Sequence, residues 1–427
     1  MKAILDVMAE HKAGRAVGIY SACSAHPLVI EAALAHVRRE SGSALIEATS
    51  NQVNQDGGYT GMRPADFSRF VHEIAARLDV PREHVLLGGD HLGPNSWQHL
   101  PADTALAKSE QLIADYVEAG FRKIHLDCSM SCADDPTPLT DAVVAARAAR
   151  LCAVGEQAWR RAGGEAPVYV VGTEVPVPGG AQGAIAELAL TEPAAATATI
   201  DAHFEAYRSA GLQSVWPRVI GLVVQPGVEF DHHRVIDFEA SRAVDLARVV
   251  ETQPYLVYEA HSTDYQTPAN LRALVQKHFA ILKVGPGLTF AMREALWALD
   301  AIEREWLGAE RSSRLRETLQ EAMTANPGSW RKYYLSTGRQ LALDQQYSLS
   351  DRIRYYWPVP AVAAALERLL ANLDANPPPL TLLSQYMPQQ YAAVRAGTLR
   401  PRARELVLHA VRYVLEQYAA ACTDRLT

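Results

Sequence analysis

Eight apolar runs of strand length alternate with helix-length stretches over roughly the first two thirds of this chain. The runs occupy residues 16–23, 44–49, 84–91, 123–127, 168–174, 219–225, 255–261 and 279–285. Strands that are apolar throughout are typical of parallel sheets that are buried on both faces. Eight such units predict an α/β protein folded as a closed (β/α)8 TIM barrel. A doubly wound open sheet is the alternative, and both folds build their sites at the carboxyl ends of the strands.

The stretches between the runs and after them have the spacing of helices. Residues 102–119 and 140–161 lie between runs, and residues 290–307 and 312–325 follow the last run. The chain has 427 residues, more than a minimal barrel needs. We therefore predict a barrel over residues 1–300 that carries the site. A C-terminal α-helical extension over residues 301–427 is expected to pack on it.

Charge and composition point to small-molecule chemistry. The formal net charge is -7, which predicts neither a nucleic-acid partner nor a membrane surface as partner. No run of about 18 uninterrupted apolar residues occurs, and the first residues include Asp6, Glu10 and His11 instead of an apolar signal segment. A cytoplasmic protein is expected. The 5 cysteines are an odd number and too sparse for a disulfide framework, so free thiols are predicted.

Three histidines close three of the runs or the turns after them. They are His91 in L-G-G-D-H-L-G-P, His232 in Q-P-G-V-E-F-D-H-H and His261 in V-Y-E-A-H-S-T-D-Y. A single strand-end histidine is often a structural hydrogen bonder. Because strand ends converge at a barrel mouth, three of them predict a site for Zn2+ or another divalent ion such as Mn2+, with an open position for substrate. His233 competes with His232, since spacing does not separate the two.

Carboxylates accompany these histidines. Asp90 directly precedes His91, and Glu174 lies in V-G-T-E-V-P-V-P-G-G. A carboxylate near a metal can move the proton that accompanies polarisation of a carbonyl, so we predict Asp90 and Glu174 as catalytic residues. Asp127 in H-L-D-C is either a substrate-binding residue or a core carboxylate bonded to Lys123 or His125.

Two loops are rich in polar groups that could hold a sugar. Residues 50–61 read S-N-Q-V-N-Q-D-G-G-Y-T-G, and Gln52 and Asn54 are predicted to bind hydroxyls. The alternative is a structured loop whose amides bond to the loop itself. Ser262 and Asp264 follow the seventh run and are further candidates for substrate binding.

Two later segments could bind phosphate. The turn K-V-G-P-G-L-T-F brings Lys283 and Gly285 to a helix N-terminus, which favours anions. Residues 347–358, Y-S-L-S-D-R-I-R-Y-Y-W-P, place Arg352 and Arg354 beside three aromatic residues. Arginine forks bind phosphate bidentately, so both are predicted to bind substrate. The alternative is an aromatic interface held by arginine with Asp351.

Five motifs together resemble the GatZ/KbaZ family of tagatose-1,6-bisphosphate aldolase subunits. They are D-H-L-G-P, H-L-D-C-S-M-S-C, G-T-E-V-P-V-P-G-G, V-Q-P-G-V-E-F-D-H and Y-E-A-H-S-T-D-Y. That family is similar to class II aldolases, which hold zinc through strand-end histidines with an Asp before the first ligand. The resemblance implies that His91, His232 and His261 bind the metal and that Asp90 transfers the proton. Glu174 falls where those aldolases keep a glutamate.

The phosphate turns depart from the aldolase pattern. Class II aldolases that act on bisphosphates keep G-G-S-G after strand seven and N-T-D after strand eight, whereas this chain has H-S-T-D and G-P-G-L. Phosphate binding is therefore open between Ser262, Gly285 and Thr289 on the barrel and Arg352 or Arg354 on the extension.

The resemblance implies metal-dependent aldol-type chemistry at the C3–C4 bond of a ketose or ketose phosphate. The first hypothesis is D-tagatose-1,6-bisphosphate aldolase or its GatZ/KbaZ-type subunit, beside a catalytic aldolase partner chain. A stand-alone ketose 4-epimerase acting on D-fructose, D-tagatose or a related ketose is the second, and a non-catalytic stabilising subunit is the third. A homo-oligomer is expected.

Overall fold

The computed structural model describes residues 2–40, 42–175, 181 and 188–424. Eight parallel strands close into a barrel, and the first strand pairs with the eighth. In chain order they are Ile19–Cys23, Ala44–Thr49, Val85–Leu92, Lys123–Leu126, Val168–Val171, Val219–Val223, Val257–Ala260 and Ile281–Val284. Each of the eight apolar runs forms one strand, so the predicted (β/α)8 barrel is confirmed and the open sheet is excluded.

Helices follow the strands around the outside of the barrel. They are Pro27–Glu40, Pro64–Arg77, Ala102–Glu118, Asp141–Ala162, Pro193–Ser209, Val244–Glu251, Pro268–Gln276 and Pro286–Leu307. In the fourth of these helices, Asp141–Ala162, residues at both ends mark its bounds in the sequence. The Thr140 hydroxyl accepts the Val143 N–H at its start, and Gly163 has a φ of 72° just after its end.

A helix that precedes the first strand, Lys2–Lys12, closes the amino end of the barrel. Its Ile4 and Met8 are buried against aliphatic side chains that the strands send into the barrel interior. These partners include Ile19, Leu45, Leu86, Val168, Ile220, Val257 and Ile281. With this end filled by apolar side chains, polar residues concentrate at the opposite, carboxyl end.

A helical extension follows the barrel, as predicted. It contains Leu315–Ala325, Gly338–Tyr347, Pro360–Ala375, Leu380–Tyr386, Pro388–Arg395 and Ala403–Cys422. The last helix packs on three barrel helices, namely Pro27–Glu40, Pro268–Gln276 and Pro286–Leu307. One helix runs across position 300, so the division of the chain at that residue stays a prediction. Within the described ranges, no helix has both the length and the apolar character needed to cross a bilayer.

Candidate active site

Four buried side chains meet at the carboxyl ends of the barrel strands: Asp90, His91, His125 and His261. Each offers one ligand atom, and these atoms all lie within 4.8 Å of one another. Asp90 and His91 belong to the third strand, His125 to the fourth, and His261 follows the seventh. We call these four residues the His/Asp cluster. Three imidazoles and a carboxylate are a donor set that a divalent metal ion can use.

The third strand is irregular where it delivers two neighbouring residues to the same place. Adjacent residues of a regular strand point to opposite faces. Here His91 has a φ of 48°, and the pairing with the fourth strand shifts register between Gly89 and Leu92. Gly93 follows, where an added Cβ would lie 1.8 Å from the carbonyl oxygen of Asp127. The irregularity brings Asp90 and His91 to the mouth together.

Hydrogen bonds fix the orientation of the three rings. Nδ1 of His91 lies 2.7 Å from Oδ2 of Asp127, and Nδ1 of His125 lies 2.9 Å from Oδ1 of Asp90. Nε2 of His261 lies 3.0 Å from Oε1 of Glu259. Nε2 of His125 is buried and has no hydrogen-bond partner in the described part of the chain. A buried polar atom without a partner costs free energy, and binding a metal would remove that cost.

Two buried lysines cross-link the carboxylates beside the His/Asp cluster. Nζ of Lys123 lies 2.8 Å from Glu47 and 2.6 Å from Glu259. Nζ of Lys283 contacts Glu47 and lies 3.1 Å from Oδ2 of Asp90 and 3.7 Å from Glu259. The lysines, on the fourth and eighth strands, therefore hold in place carboxylates from the second, third and seventh strands.

The charges of this buried network do not cancel. Its four carboxylates face two ammonium groups, which leaves two negative charges while the histidines are neutral. The carboxylates are Glu47, Asp90, Asp127 and Glu259, and the ammonium groups belong to Lys123 and Lys283. A divalent cation would balance that excess, so the charge as well as the donor atoms fits a metal.

The pKa values in the cluster are strongly perturbed. Burial lowers the pKa of His261, which favours the neutral imidazole that metals bind. Burial also acts to lower the pKa of His91, but the neighbouring carboxylates of Asp90 and Asp127 outweigh it and raise this pKa. Burial raises the pKa of Asp90, but the charges of His91 and His261 outweigh it, so this pKa lies well below its usual range. Burial lowers the pKa of Lys283 to about 8. Asp90 is therefore ionised at neutral pH.

A cavity of about 390 Å³ opens over the His/Asp cluster. The barrel contributes mainly polar groups to its walls, and the extension contributes aromatic and aliphatic side chains together with two charged ones. The barrel residues include Gln52, Tyr59, Asp90, His91, His261, Ser262, Asp264 and Lys283, and the extension residues include Arg354, Tyr355, Trp357, Leu366 and Glu367. The extension therefore covers part of the barrel mouth and makes a deep site out of an open one.

Residues 4–423 match the family model of the D-tagatose-1,6-bisphosphate aldolase subunit GatZ/KbaZ-like proteins. The chain belongs to this family. The resemblance found in the five motifs is thus confirmed. A crystal structure from Sinorhizobium meliloti 1021, of a probable tagatose 6 phosphate kinase, is 52% identical in sequence. The match covers 95% of this chain and 100% of that chain, with a TM-score of 0.88.

Two solved structures from other proteins are remote in sequence and in shape. The fructuronate-tagaturonate epimerase UxaE from Cohnella laeviribosi is 12% identical over 96% of this chain and 82% of that chain, with a TM-score of 0.49. The YdjI aldolase from Escherichia coli K12 is 10% identical over 91% of this chain and 97% of that chain, with a TM-score of 0.40.

In this GatZ/KbaZ-family chain, His232 does not join the His/Asp cluster, which corrects the expected convergence. Its Nε2 lies 2.9 Å from the carbonyl oxygen of Tyr333, and its Nδ1 lies 3.1 Å from the Ser350 hydroxyl. A short hairpin, Glu229–Phe230 with Val235–Ile236, carries His232 towards the extension. His233 is exposed, 3.3 Å from Asp344.

His125 takes the third position among the imidazoles. Sequence reasoning treated it only as a partner for Asp127. The sequence does contain a signal for His125. Lys123, His125 and Asp127 occupy alternate positions along the fourth strand and the residue that follows it, so they share a face. Asp127 itself bonds to His91 instead of to Lys123 or His125, so its place is that of a buried carboxylate that orients a cluster histidine.

Glu174 lies apart from the cluster. It is exposed on the loop after the fifth strand, where it accepts a hydrogen bond from the Thr191 hydroxyl. It is absent from the described walls of the cavity. Residues 176–180 of its V-P-V-P-G-G motif lie outside the described residues. Its catalytic role stays a prediction.

The two amide residues predicted to bind hydroxyls, Gln52 and Asn54, have different surroundings. Gln52 lines the cavity, and its side-chain oxygen accepts the Thr49 N–H. Asn54 instead bonds within the loop, because its amide donates to the Ser50 carbonyl and accepts from the N–H groups of Asp56 and Gly58. Asn54 shapes the loop that presents Gln52, and it does not reach the described cavity walls.

The helix N-terminus predicted for phosphate is occupied by the chain itself. Oδ1 of Asp264 accepts the N–H groups of Gly285 and Gly287 at 2.9 and 2.7 Å. Burial raises the pKa of Asp264 to about 6. The Gly285 amide is thus held by a carboxylate, although Gly285 lines the cavity, and its role in substrate binding stays a prediction. Ser262 and Lys283 do line the cavity, as expected of substrate-binding residues.

The two predicted arginines have different surroundings. Arg352 donates to the Ser329 carbonyl, and its guanidinium lies 3.6 Å from the ring centre of Tyr333. It is absent from the described cavity walls, so its surroundings match the aromatic-interface alternative. Arg354 lines the cavity and donates to the Asp351 carbonyl at 3.0 Å and the Tyr355 hydroxyl at 3.2 Å.

Proposed function

We propose that this chain catalyses metal-dependent aldol-type chemistry at the C3–C4 bond of a ketose, at the His/Asp cluster. The observation that carries the proposal is the meeting of three buried imidazoles and one carboxylate, of which Asp90, His91 and His261 line the cavity. Three histidine ligands with an open position are a typical catalytic zinc site. Zn2+ is the proposed ion and Mn2+ the alternative, with His91, His125 and His261 as the ligands.

The bound ion would polarise the ketose carbonyl and stabilise the negative charge that develops as the bond breaks. Asp90 is the proposed base. It takes the proton of the C4 hydroxyl while the C3–C4 electron pair moves to C3, and an aldehyde is left at C4. In the reverse direction Asp90 returns that proton to the C4 oxygen.

The surrounding residues hold this machinery in position. Asp127 and Glu259 orient the rings of His91 and His261, and Lys283 lies against the carboxylate of Asp90. Orientation by such bonds keeps the neutral ring nitrogen directed at the site. Gln52, and the side chains of the extension over the mouth, enclose the sugar and limit the access of water.

If a proton is then delivered to C3 and both fragments are released, the reaction is an aldolase reaction. Membership of the GatZ/KbaZ family favours this outcome, with D-tagatose 1,6-bisphosphate as the proposed substrate. A separate catalytic aldolase chain is a further proposed partner. In that arrangement the present chain acts as its subunit.

A second candidate is a ketose 4-epimerase, and the place of Asp264 favours it. Its carboxylate occupies the amides of Gly285 and Gly287, where a sugar phosphate would otherwise bind. A substrate without two phosphates fits that arrangement better. If the aldehyde fragment turns over in place and is added back through its other face, the product is the C4 epimer, which would interconvert D-fructose and D-tagatose.

One experiment separates these outcomes. The isolated chain, loaded with Zn2+ or Mn2+, is incubated with D-tagatose 1,6-bisphosphate and with D-fructose. Triose phosphates identify the aldolase, and D-tagatose formed from D-fructose identifies the epimerase. A His261→Ala preparation purified in parallel reports contaminating activity. If the metal-loaded chain forms no product from either sugar, catalysis by this chain alone is refuted and the stabilising-subunit hypothesis is favoured.

A further inference from the structure

Arg354 is a cation on the cavity wall, and although the charges of Asp351 and Asp264 act on it, neither forms a direct ion pair with it among the described contacts. Its hydrogen bonds go to the carbonyl oxygens of Ser350 and Asp351 and to the hydroxyl of Tyr355. No carboxylate of the described residues forms an ion pair with it. Lys283, the other lysine or arginine on the described walls, contacts Glu47 and lies near Asp90.

The guanidinium of Arg354 is also held in a fixed orientation. It lies 4.7 Å from the ring centre of Tyr355, whose other neighbours are the ring of Tyr59 at 4.5 Å and the guanidinium of Arg352 at 4.4 Å. A planar, pre-oriented guanidinium matches the geometry of phosphate and carboxylate oxygens. Little conformational entropy then remains to be lost when an anion binds.

We propose that Arg354 binds one oxyanion, a phosphate or a carboxylate, carried at one end of the substrate. Of the substrates proposed above, this favours a ketose with a single terminal anionic group over D-tagatose 1,6-bisphosphate. This inference rests on the proposed function only for the identity of the substrate as a ketose. The binding of the oxyanion itself follows from a guanidinium at the cavity wall that has no carboxylate in direct contact, because a partly desolvated charge is stabilised by a partner of opposite sign.

The other charged and titratable groups of the cavity argue against a second anionic group. Asp264 holds the helix N-terminal amides, and Glu367 adds another carboxylate to the wall. His26 accepts the Leu28 N–H through Nδ1, and burial lowers its pKa to about 3, so its ring is neutral. Asp90 and Lys283 belong to the network around the His/Asp cluster. Arg354 alone among these described groups is left to hold an anion.

Calorimetric titration tests the inference without requiring turnover. The Zn2+-loaded chain is titrated with D-fructose, D-fructose 6-phosphate, D-fructuronate and D-fructose 1,6-bisphosphate. We expect the monophosphate or the uronate to bind at least about tenfold more tightly than D-fructose, as a charge-assisted hydrogen-bond pair provides. The bisphosphate should bind no more tightly than the monophosphate. The preferred monoanion identifies the source of the oxyanion.

Variants assign the effect to Arg354. Arg354→Gln should abolish the preference for the monoanion over D-fructose. Arg331→Gln, at an exposed arginine of the same extension, is the matched control and should keep the preference. If Arg354→Gln melts well below the wild type, Arg354→Lys keeps the charge without the fork and should show a partial loss.

Three results would overturn the inference. They are equal affinity for D-fructose and both monoanions, a preference that survives in Arg354→Gln or is undiminished in Arg354→Lys, and a bisphosphate that binds tenfold more tightly than the monophosphate. An inactive chain with an Arg354-dependent preference would refute the proposed function and leave the oxyanion site standing. An active chain without that preference would support the proposed function and refute the oxyanion site at Arg354.

Discussion

Nδ1 of His91 lies 2.7 Å from Oδ2 of Asp127, and this bond leaves Nε2 of the same ring facing Asp90 at 3.8 Å. A carboxylate that accepts the Nδ1–H fixes the tautomer in which Nε2 is free to bind a metal. Asp127 therefore sets the tautomer of His91, the proposed metal ligand, without binding the metal itself.

Replacing Asp127 by Asn should weaken metal binding. We expect the affinity for Zn2+ to fall about 10- to 100-fold, as is usual when the partner of a ligating histidine is lost. Competition with a chromogenic chelator measures the change. Asp103→Asn, at an exposed position, is the matched control and should bind Zn2+ like the wild type. Unchanged affinity in Asp127→Asn would show that this bond does not set the ligand.

His125 and His232 can be distinguished by their metal content. His125→Ala removes a ring whose Nε2 is buried without a partner in the described structure, so the purified variant should lose most of its bound Zn2+. His232→Ala removes a ring bonded to Tyr333 and Ser350, so it should retain the metal. Elemental analysis after gel filtration measures the zinc content of both variants. The opposite pattern would restore the ligand set implied by the motif resemblance.

The barrel was predictable because its signal is repeated and local. Each strand is an apolar run bounded by polar residues, and eight repetitions of that pattern leave few alternatives. The ends of the strands also predicted Asp90, His91 and His261, because these residues stand at or directly beyond a strand and parallel strands deliver their carboxyl ends to one place.

The loops were not predictable from the same pattern. His232 stands seven residues beyond its apolar run as delimited from the sequence, and a hairpin carries it towards the extension. The bond of Asp264 to the amides of Gly285 and Gly287 joins two loops, and residue spacing does not encode that approach. The separation of Arg352 from Arg354 depends in the same way on how a short 3-10 helix, Arg352–Tyr356, packs over the mouth.

Glu229 should make the stability of the fold depend on pH. Burial raises its pKa to about 7 in the folded protein, above the ordinary value that it has when unfolded. Between about pH 4.5 and 7 the folded state binds more protons, so the free energy of unfolding falls as the pH rises through this range.

Glu229→Gln removes that dependence. At pH 8 the variant should be more stable than the wild type by up to about 3 kcal/mol, and the two should converge near pH 4. Urea unfolding at several pH values measures this. Glu239→Gln, at an exposed glutamate, should stay within about 0.5 kcal/mol of the wild type throughout. Parallel curves for Glu229→Gln and wild type would rule out a raised pKa.

The helix that closes the amino end of the barrel offers a matched pair of neighbours. Ile4 is 0% exposed among the strand side chains, whereas Leu5 is 40% exposed on the next position of the same helix. Ile4→Ala should cost about 2–5 kcal/mol of unfolding free energy, and Leu5→Ala about 1 kcal/mol or less. Urea unfolding compares them. Similar costs for both would mean that the helix does not fill the barrel end.

Metal binding should stabilise the folded chain because the buried network beside the cluster holds two more carboxylates than ammonium groups. An ion that binds only the folded state adds about 2.7 kcal/mol at a concentration 100 times its dissociation constant. The melting temperature should therefore rise on addition of Zn2+ or Mn2+ and fall again with a chelator. In His261→Ala, which lacks one ligand of the His/Asp cluster, the melting temperature should rise far less at the same ion concentration. Equal shifts in the two proteins would place the responsible ion elsewhere, because only binding at the cluster depends on that ring.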